Sequence, residues 1–436
     1  MDTIAAIATS LGEGSVGIVR VSGPRSIEIA ARLAGRSFQR ARSHTVRHAW
    51  LHDERGQALD EALVTIFRAP RSYTAEDVVE FGVHGGAVPA RRVLRATLEC
   101  GARLAERGEF TKRAFLNGRL DLSQAEAVAD VIRARTERGA DLALSAIAGK
   151  LGARTTAVEG RLLELLTALE VNLDFNEDVV PTDRARVGAV LERARADLEE
   201  LCARAPWGRR IRAGATAVLL GRPNVGKSSL FNALLEDDRA LVADEPGTTR
   251  DYLEAWVDLG GMPVRLIDTA GLRDAAGVEG AGVARSERWQ RDADLRLLVL
   301  DATDGEPPPG AGRQAELVCW NKVDRIGASP KPEGLAVSAL TGEGVGALRR
   351  AIAEKLLEGV GREPADEVVP TERHEDALRR ATVALDHGLR AWRDGVTEEW
   401  LAGDVRDAAS ALGEVTGRTI ADDVLDQIFS KFCIGK

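Results

Sequence analysis

The chain has 436 residues, 44% of them hydrophobic and 29% charged, and carries a net charge of −9. At about 100–200 residues per domain this is material for two to four domains with ordinary apolar cores. The acidic balance weakens any reading as a generic polyanion binder while leaving room for a local basic patch, and 4% aromatics argue against extensive base stacking on exposed rings.

Residues 1–120 mix short β-rich runs, VGIVRVSG (16–23) and ALVTIF (62–67), with Gly, Pro and Ser breaks and a helical stretch over about 89–100. This predicts a compact α+β domain. From Leu122 to about Cys202 Gly and Pro become sparse. Leu162, Leu165, Leu166, Leu169 and Leu173 recur at helical spacing, as do Val187, Val190, Leu191, Ala194, Leu198 and Leu201, which predicts a helical bundle. At Ala213 the texture changes again. ATAVLLG (215–221), VRLIDTAG (264–271) and LRLLVLDATD (295–304) are short buried strands with helical segments between them, the signature of a parallel, doubly wound sheet with ligands at the strand C-termini. EPPPGAG (306–312) reads as a surface loop. After Gly361, Pro364 and Pro370 mark a linker, and 372–393, 398–413 and 418–432 are helix candidates. Helical material thus flanks the α/β unit on both sides. The simplest geometry is one helical domain built from both flanks with the α/β domain inserted into it.

GRPNVGKSS (221–229) fits G-x-x-x-x-G-K-[ST] directly after a strand and before a helix, the context this phosphate loop needs. Gly221 and Gly226 let backbone N–H groups curl around phosphate oxygens, Lys227 reaches the β- and γ-phosphates, and the Ser228 hydroxyl binds Mg²⁺. In DTAG (268–271), Asp268 sits where a Mg²⁺-facing carboxylate belongs and the Gly271 N–H faces a γ-phosphate. In NKVD (321–324), Asp324 can accept two hydrogen bonds from guanine N1–H and the exocyclic amine, while Asn321 and Lys322 brace the loop. In SAL (338–340) the Ala339 N–H can donate to guanine O6. Their order in one α/β unit predicts a guanine nucleotide-binding domain. Ras-like switches place a Gln after DTAG to orient the attacking water; here the position is Leu272, which cannot. Arg250 and Arg273 lie near, but no arginine finger is identifiable.

The chain resembles the MnmE (TrmE) family of GTPases that modify tRNA uridine with a 5-carboxymethylaminomethyl group. The resemblance spans nearly the whole sequence: VGIVRVSGP (16–24), SYTAEDVVEFGVHGG (72–86), GEFTKRAFLNGRLDLSQAEA (108–127), NLDFNED (172–178), GRPNVGKSS, PGTTRD (246–251), DTAGLR (268–273) and FSKFCIGK (429–436). It implies a multidomain α/β plus α architecture. An N-terminal α+β domain that binds folate and dimerises covers 1–118, a helical domain covers 119–210 and 364–436, and an inserted Ras-like P-loop G domain covers 211–363. In the family two G domains meet across their nucleotides, and potassium replaces the arginine finger.

Carried over residue by residue, the resemblance places GTP or GDP among Asn224, Val225, Gly226, Lys227, Ser228 and Ser229, then Ala243, Asp244, Glu245, Pro246, Gly247, Thr248 and Thr249. It adds Asp268, Thr269, Ala270 and Gly271, the base-reading Asn321, Lys322, Val323 and Asp324, and Ser338, Ala339 and Leu340. Mg²⁺ falls to Ser228 and Thr249, with Asp268 acting through water. Potassium falls to Asn224, Ala243, Glu245 and Thr248. Glu279 matches the glutamate that orients the attacking water; Lys227 and Thr249 complete the catalytic set. Arg20, Glu80, Arg119 and Lys436 match the site for 5-formyl-tetrahydrofolate or a related folate, with Arg119 where the family often has Lys.

Cys433, in CIGK, superficially fits a prenylation box, but a final Lys is unusual there and nothing upstream is polybasic. The resemblance makes it a catalytic cysteine near the folate. Cys100, Cys202, Cys319 and Cys433 show no paired spacing, so a reducing cytosol is the simplest setting. The start MDTIAAIATSLGEG has no basic n-region and no apolar run approaches a membrane span, so neither a secretory signal nor a membrane association is expected. His44, His48 and His52 are four apart; TVRHAWLH reads as a strand, which favours plain exposure over a metal stripe. His84 reads as a turn-associated hydrogen-bonding residue.

These readings together give the expectation of a cytoplasmic, homodimeric GTPase. With a flavin-dependent partner (MnmG/GidA) it would modify C5 of the wobble uridine, U34, of tRNA. The alternative is a ribosome-assembly GTPase acting as an RNA-binding switch, a class that usually adds a basic RNA-binding element. A second rival is a folate enzyme whose GTPase is only regulatory.

Overall fold

The computed structural model describes residues 2–174, 183–236, 254–268, 289, 291–304, 315–327, 334–361 and 363–436. The chain forms two compact units, one of Met1–Ala129, Gly152–Thr156 and Ser410–Lys436, the other of Asp130–Leu151 and Ala157–Ala409.

In the first unit six strands, β1 (Ile4–Ile7), β2 (Val16–Ser22), β3 (Thr45–His52), β4 (Ala58–Phe67), β5 (Val78–His84) and β6 (Arg103–Leu104), form one sheet in the order β3-β4-β5-β2-β1-β6. All pairs are antiparallel except β1 with β6. The period-2 alternation in β2 buries Val19 and Val21 and leaves Arg20 on the opposite face. Helices α1 (Ser26–Ala34) and α2 (Ala87–Glu99) join Val19, Val21, Val64, Ile66, Val79 and Phe81 in the core, through Ile29, Leu33 and Val93. Helix α3 (Glu109–Leu116) buries Phe110 against Ile4, Ala6 and Ala105.

Four helices follow: α4 (Leu122–Arg133), α5 (Glu137–Ile147), α6 (Lys150–Asp174) and α7 (Arg184–Ala213). The leucine stripe of α6 is buried at Leu162, Leu165, Leu166 and Leu169, and that of α7 at Val187, Leu191, Ala194, Leu198 and Leu201. Leu173 falls where no side chain is described. Asp183 caps α7 by accepting from the N–H groups of Ala185 and Arg186.

The second sheet contains β7 (Ala215–Leu220), β8 (Glu254–Leu259), β9 (Met262–Asp268), β10 (Leu295–Asp301), β11 (Leu317–Asn321) and β12 (Leu335–Ala336), in the order β12-β11-β10-β7-β9-β8. It is parallel apart from β8. Helices α8 (Lys227–Glu236) and α9 (Val345–Leu357) cover it, with Leu230, Leu234, Leu348 and Ile352 buried against Leu219, Leu266 and Val299. The expected parallel sheet is present, and among the described residues these two helices cover one of its faces. The loop over 306–312 lies outside the described residues.

The chain ends in α10 (Glu372–Arg393), α11 (Glu398–Thr416) and α12 (Asp422–Ser430). α10 packs along α7: Arg209 pairs with Glu375 at 2.6 Å, Arg195 with Asp386, Arg393 with Glu192 at 2.8 Å, and the Arg184 guanidinium lies 3.9 Å from the Trp392 ring centre. The helix expected over 372–393 is found there. The last two differ from expectation. α11 continues through Gly413 to Thr416, because a bare Cα at 413 leaves room for Thr419, whose hydroxyl donates to the Ser410 carbonyl at 2.7 Å. Gly417 then turns the chain at φ +85, and α12 starts only at Asp422. Leu425, Ile428, Phe429 and Phe432 pack with Leu122 and Ala125 in the first unit.

Candidate functional site

In the second unit the phosphate loop leaves β7 at Gly221, whose φ of +146 and 2.4 Å approach of a built Cβ to the Val299 carbonyl admit only glycine. Asn224 is left-handed at φ +66 and exposed. Val225 is buried in the sheet core. Gly226, at φ +92, lies where a Cβ would meet Asn321 Nδ2 at 2.4 Å. Lys227 is 5% exposed, and its Nζ donates to the Gly221 carbonyl at 3.0 Å and the Arg222 carbonyl at 2.9 Å. Ser228 and Ser229 face outward on the first turn of α8.

The Ser228 hydroxyl donates to Asp268 Oδ2 at 2.5 Å. Asp268 ends β9, adjacent to β7, and is 2% exposed. A hydroxyl and a carboxylate converging at a helix N-terminus beside a phosphate loop form an oxygen donor set that suits Mg²⁺.

The end of β11 supplies the braces. Asn321, fully buried, donates from Nδ2 to the Val225 carbonyl at 3.0 Å and accepts from the Ala339 N–H at 3.0 Å. Lys322, left-handed at φ +66, donates to the Asn224 carbonyl at 2.5 Å and pairs with Asp301 at 2.6 Å. Burial pushes the Asp301 carboxyl up, and the Lys322 ammonium with the Thr303 donors overcomes it, leaving it below the usual carboxylate range. Val323 is buried with Trp320 and Leu300. The buried Ser338 hydroxyl donates to Asp324 Oδ1 at 2.6 Å, which orients that carboxylate. Leu340 is 81% exposed beside Ala339.

The structure therefore brings together Val225, Gly226, Lys227, Ser228, Asp268, Asn321, Lys322, Asp324, Ser338 and Ala339 at the C-terminal edge of one parallel sheet. Ala243, Asp244, Glu245, Pro246, Gly247, Thr248, Thr249, Arg250, Thr269, Ala270, Gly271, Leu272, Arg273 and Glu279 lie outside the described residues.

The first unit holds a cavity of about 460 Å³ lined by His44, Phe67, Pro70, Arg71, Ser72, Tyr73, Val78, Glu80 and Arg119. Arg20 pairs with Glu80 across β2 and β5 at 2.8 Å. The Arg20 guanidinium lies 5.2 Å and that of Arg119 5.0 Å from the Tyr73 ring centre. Arg119 also donates to the Tyr73 carbonyl at 3.0 Å, and the Tyr73 hydroxyl bonds Thr111 at 2.9 Å. A carboxylate, cations and an aromatic ring around a cavity of this size fit a polar heteroaromatic acid such as a folate.

The C-terminal tail closes on this side of the unit. Ile434 bridges Arg107, Arg20 Nη1 donates to the Gly435 carbonyl at 3.4 Å, and Gly435 packs on the Ile7 carbonyl. Phe432 is buried and Cys433 is exposed, with its carbonyl accepting from the Gly108 N–H at 3.4 Å. Lys436 is half-buried. Arg20 therefore joins Glu80 to the tail that carries Lys436.

His48 and His52 lie on β3 and His44 immediately before it, all three exposed; His48 bonds Glu61 at 2.6 Å, and among the described residues no three or more His, Cys, Asp or Glu side chains form a group that could hold a metal. His84 bonds Asp60 at 2.7 Å, so it does hydrogen-bond as expected, but it is the last paired residue of β5 rather than part of a turn.

A model of the MnmE helical domain matches residues 122–433, and one of the GTP-binding protein TrmE N-terminus matches residues 3–119. The tRNA modification GTPase MnmE of Symbiobacterium thermophilum is 45% identical, covering 100% of this chain and 99% of that protein. Proteins of the same name from Moorella thermoacetica and Chloroflexus aurantiacus are 44% and 46% identical, each over 100% of this chain and over 99% and 100% of their own length. The chain belongs to the MnmE family of tRNA modification GTPases.

Within this MnmE-family chain, sequence reasoning missed Tyr73, Asp301 and Gly435. Tyr73 stands in the SYTAEDVVEF string, yet only the fold sets its ring beside Arg20 and Arg119. Asp301 was visible as a strand-end carboxylate, the position where ligand-facing groups gather. Among the described residues no helix is long and apolar enough to cross a membrane.

Proposed function

We propose that the protein hydrolyses GTP and, with a flavin-dependent partner of the MnmG/GidA type, adds a carboxymethylaminomethyl group at C5 of U34 in tRNA. It would act as a cytoplasmic homodimer. An N-terminal folate-binding domain (1–118), a two-segment helical domain (119–210 and 364–436) and an inserted G domain (211–363) would divide the work. The observation that carries the reading is the convergence of Lys227, Ser228, Asp268, Asn321 and Asp324 at one sheet edge in a chain of this family.

In this reading Lys227 exchanges the Gly221 and Arg222 carbonyls for phosphate oxygens, and Ser228 and Thr249, with Asp268 acting through water, would hold Mg²⁺. Mg²⁺ and potassium would neutralise phosphate charge that develops during transfer. Asn224, Ala243, Glu245 and Thr248 would hold the potassium. Asp324, held by Ser338, accepts from guanine N1–H and the amine, and Glu279 orients the attacking water. Arg20, Glu80, Arg119 and Lys436 would bind the folate that donates a one-carbon unit, and Cys433 would act beside it.

The test is the GTPase rate in potassium against sodium, for the parent and for Glu279→Ala. A potassium-stimulated rate that Glu279→Ala abolishes while GTP binding survives is expected. Equal rates in both salts, or unchanged turnover in the variant, contradict the mechanism. Normal 5-substituted uridines in tRNA from a deletion strain would favour a ribosome-assembly role.

A further inference from the structure

Elsewhere in the first unit several arginines meet carboxylates: Arg32 pairs with Glu28, Arg103 with Asp2 and Glu109, and Arg113 with Asp2, Glu76 and Glu109. One surface departs from this. Residues 35–48, GRSFQRARSHTVRH, carry Arg36, Arg40, Arg42 and Arg47 with no Asp or Glu, in a chain whose net charge is −9. Among the described residues none of these four, nor Arg68 or Arg71, makes an ion pair with a carboxylate.

The arginines are fixed to one another through the backbone. A 3-10 turn, Arg36–Arg40, is anchored by buried Phe38 and followed by buried Ala41. Arg68, just past β4, donates to the Ala41 carbonyl at 3.1 Å and the Gln39 carbonyl at 2.7 Å. Arg47 donates to the Ser37 carbonyl at 3.3 Å. The Arg71 N–H donates to the Arg68 carbonyl at 3.1 Å, which brings the exposed Arg71 into the same group and to the wall of the cavity. Two neighbouring carboxylates bond other groups than these arginines: Asp77 accepts from the Ala69 N–H at 2.9 Å, and Glu61 bonds His48 of the same segment at 2.6 Å.

We propose that Arg36, Arg40 and Arg42, on a turn held by Arg47 and Arg68, form a phosphate-backbone contact surface for the tRNA substrate. The inference rests on the tRNA reading for the identity of the polyanion. At about 2 Å rise per residue the turn spreads its exposed guanidiniums over on the order of 10 Å, which suits successive phosphates of a strand better than one small anion. Its position beside the wall containing Arg71 and His44 sets a bound strand next to the cavity that carries Glu80 and Arg119.

The experiment is a titration of the full-length protein with unmodified tRNA between 50 and 200 mM KCl. It compares the parent with Arg36→Gln/Arg40→Gln/Arg42→Gln, the corresponding triple Lys variant, and a control, Arg91→Gln/Arg92→Gln/Arg95→Gln on α2. The Gln triple should bind at least about tenfold more weakly, with a salt slope lower by roughly one per arginine removed. The Lys triple should restore the slope, and the α2 control should match the parent. GTP turnover and folate binding should be unchanged in all three. A parent-like slope in the Gln triple overturns the proposed contact surface alone. A parent that binds no tRNA, with or without its flavin-dependent partner, overturns both the contact surface and the tRNA reading. Loss of binding to vesicles of phosphatidylglycerol, with tRNA binding intact, would reassign the surface to a membrane.

Discussion

Asn321 reaches from the end of β11 to the phosphate loop, where its side-chain amide donates to the Val225 carbonyl at 3.0 Å. The same amide oxygen accepts from the Ala339 N–H at 3.0 Å. One fully buried side chain therefore ties the segment proposed to hold phosphates to the two segments proposed to read the base.

Replacing Asn321 by Ala leaves a buried carbonyl and a half-buried N–H without this partner, at a cost of roughly 2–4 kcal/mol in all. The expected outcome is a lower denaturation midpoint together with weaker GTP binding. Melting curves and nucleotide titrations check it; parent-like values in both would show that the brace is dispensable.

Gly435→Ala addresses the tail. The residue has φ +96, and an added Cβ would meet the Ile7 carbonyl at 2.4 Å and the Ala8 Cα at 3.0 Å. Both are backbone atoms and cannot swing aside, so the tail must lift and take the Gly435 carbonyl away from Arg20. Folate affinity should fall several-fold while GTP turnover in the isolated protein stays at the parent level. Folate titration and a GTPase assay on the same preparation separate the two effects.

Thiol labelling should be strongly uneven. Cys100 and Cys319 are buried, and burial pushes the Cys319 thiol up to about 12 and raises that of Cys100. Burial, with the nearby Glu375, also pushes the half-buried Cys202 up to about 11. Cys433 is exposed. The thiolate is the nucleophile, so brief iodoacetamide treatment at pH 8 should modify Cys433 first and by a wide margin. Peptide mass spectrometry reads the result, and comparable labelling of Cys319 in the folded protein would contradict the burial pattern.

The Asp60 carboxylate, by hydrogen bond and by charge, holds the His84 imidazole above its ordinary 6.5. Because the folded value is the higher one, the pair's contribution to stability is complete below pH 6.5 and is lost as pH rises through the folded value. His84 is 67% exposed, so solvent screening keeps the effect on stability small. An NMR titration should give a midpoint above 6.5, and Asp60→Asn should return it toward 6.5. A midpoint that ignores the substitution would assign the shift to another source.

Much of the fold was legible because its signals are local. The alternation in 16–22, the leucine stripes of α6 and α7 and the buried runs of β7, β9 and β10 each expose a period of 2 or 3.6 to direct reading. The phosphate loop was equally legible, since six consecutive residues must curl around an anion and their chemistry sits in one string. Helix ends were less so. α11 ran past Gly413 because Thr419 fills the space beside that residue, a packing fact that propensity does not carry.

The sequence by itself determined the family, the strand runs at 16–23, 62–67, 215–221, 264–271 and 295–304, and the residues that gather at the C-terminal edge of the parallel sheet, but not β1, β5, β6 or β8. Tertiary structure alone decided that Arg20 would hold both Glu80 and the Gly435 carbonyl, which is 415 residues away in the chain. It also decided that Tyr73 would lie beside two guanidiniums, and that Arg68 would fix a turn of unpaired arginines. Local periodicity states which face of an element is buried. It does not state which distant face covers it, because that choice is made by the summed packing and hydrogen bonding of the whole unit.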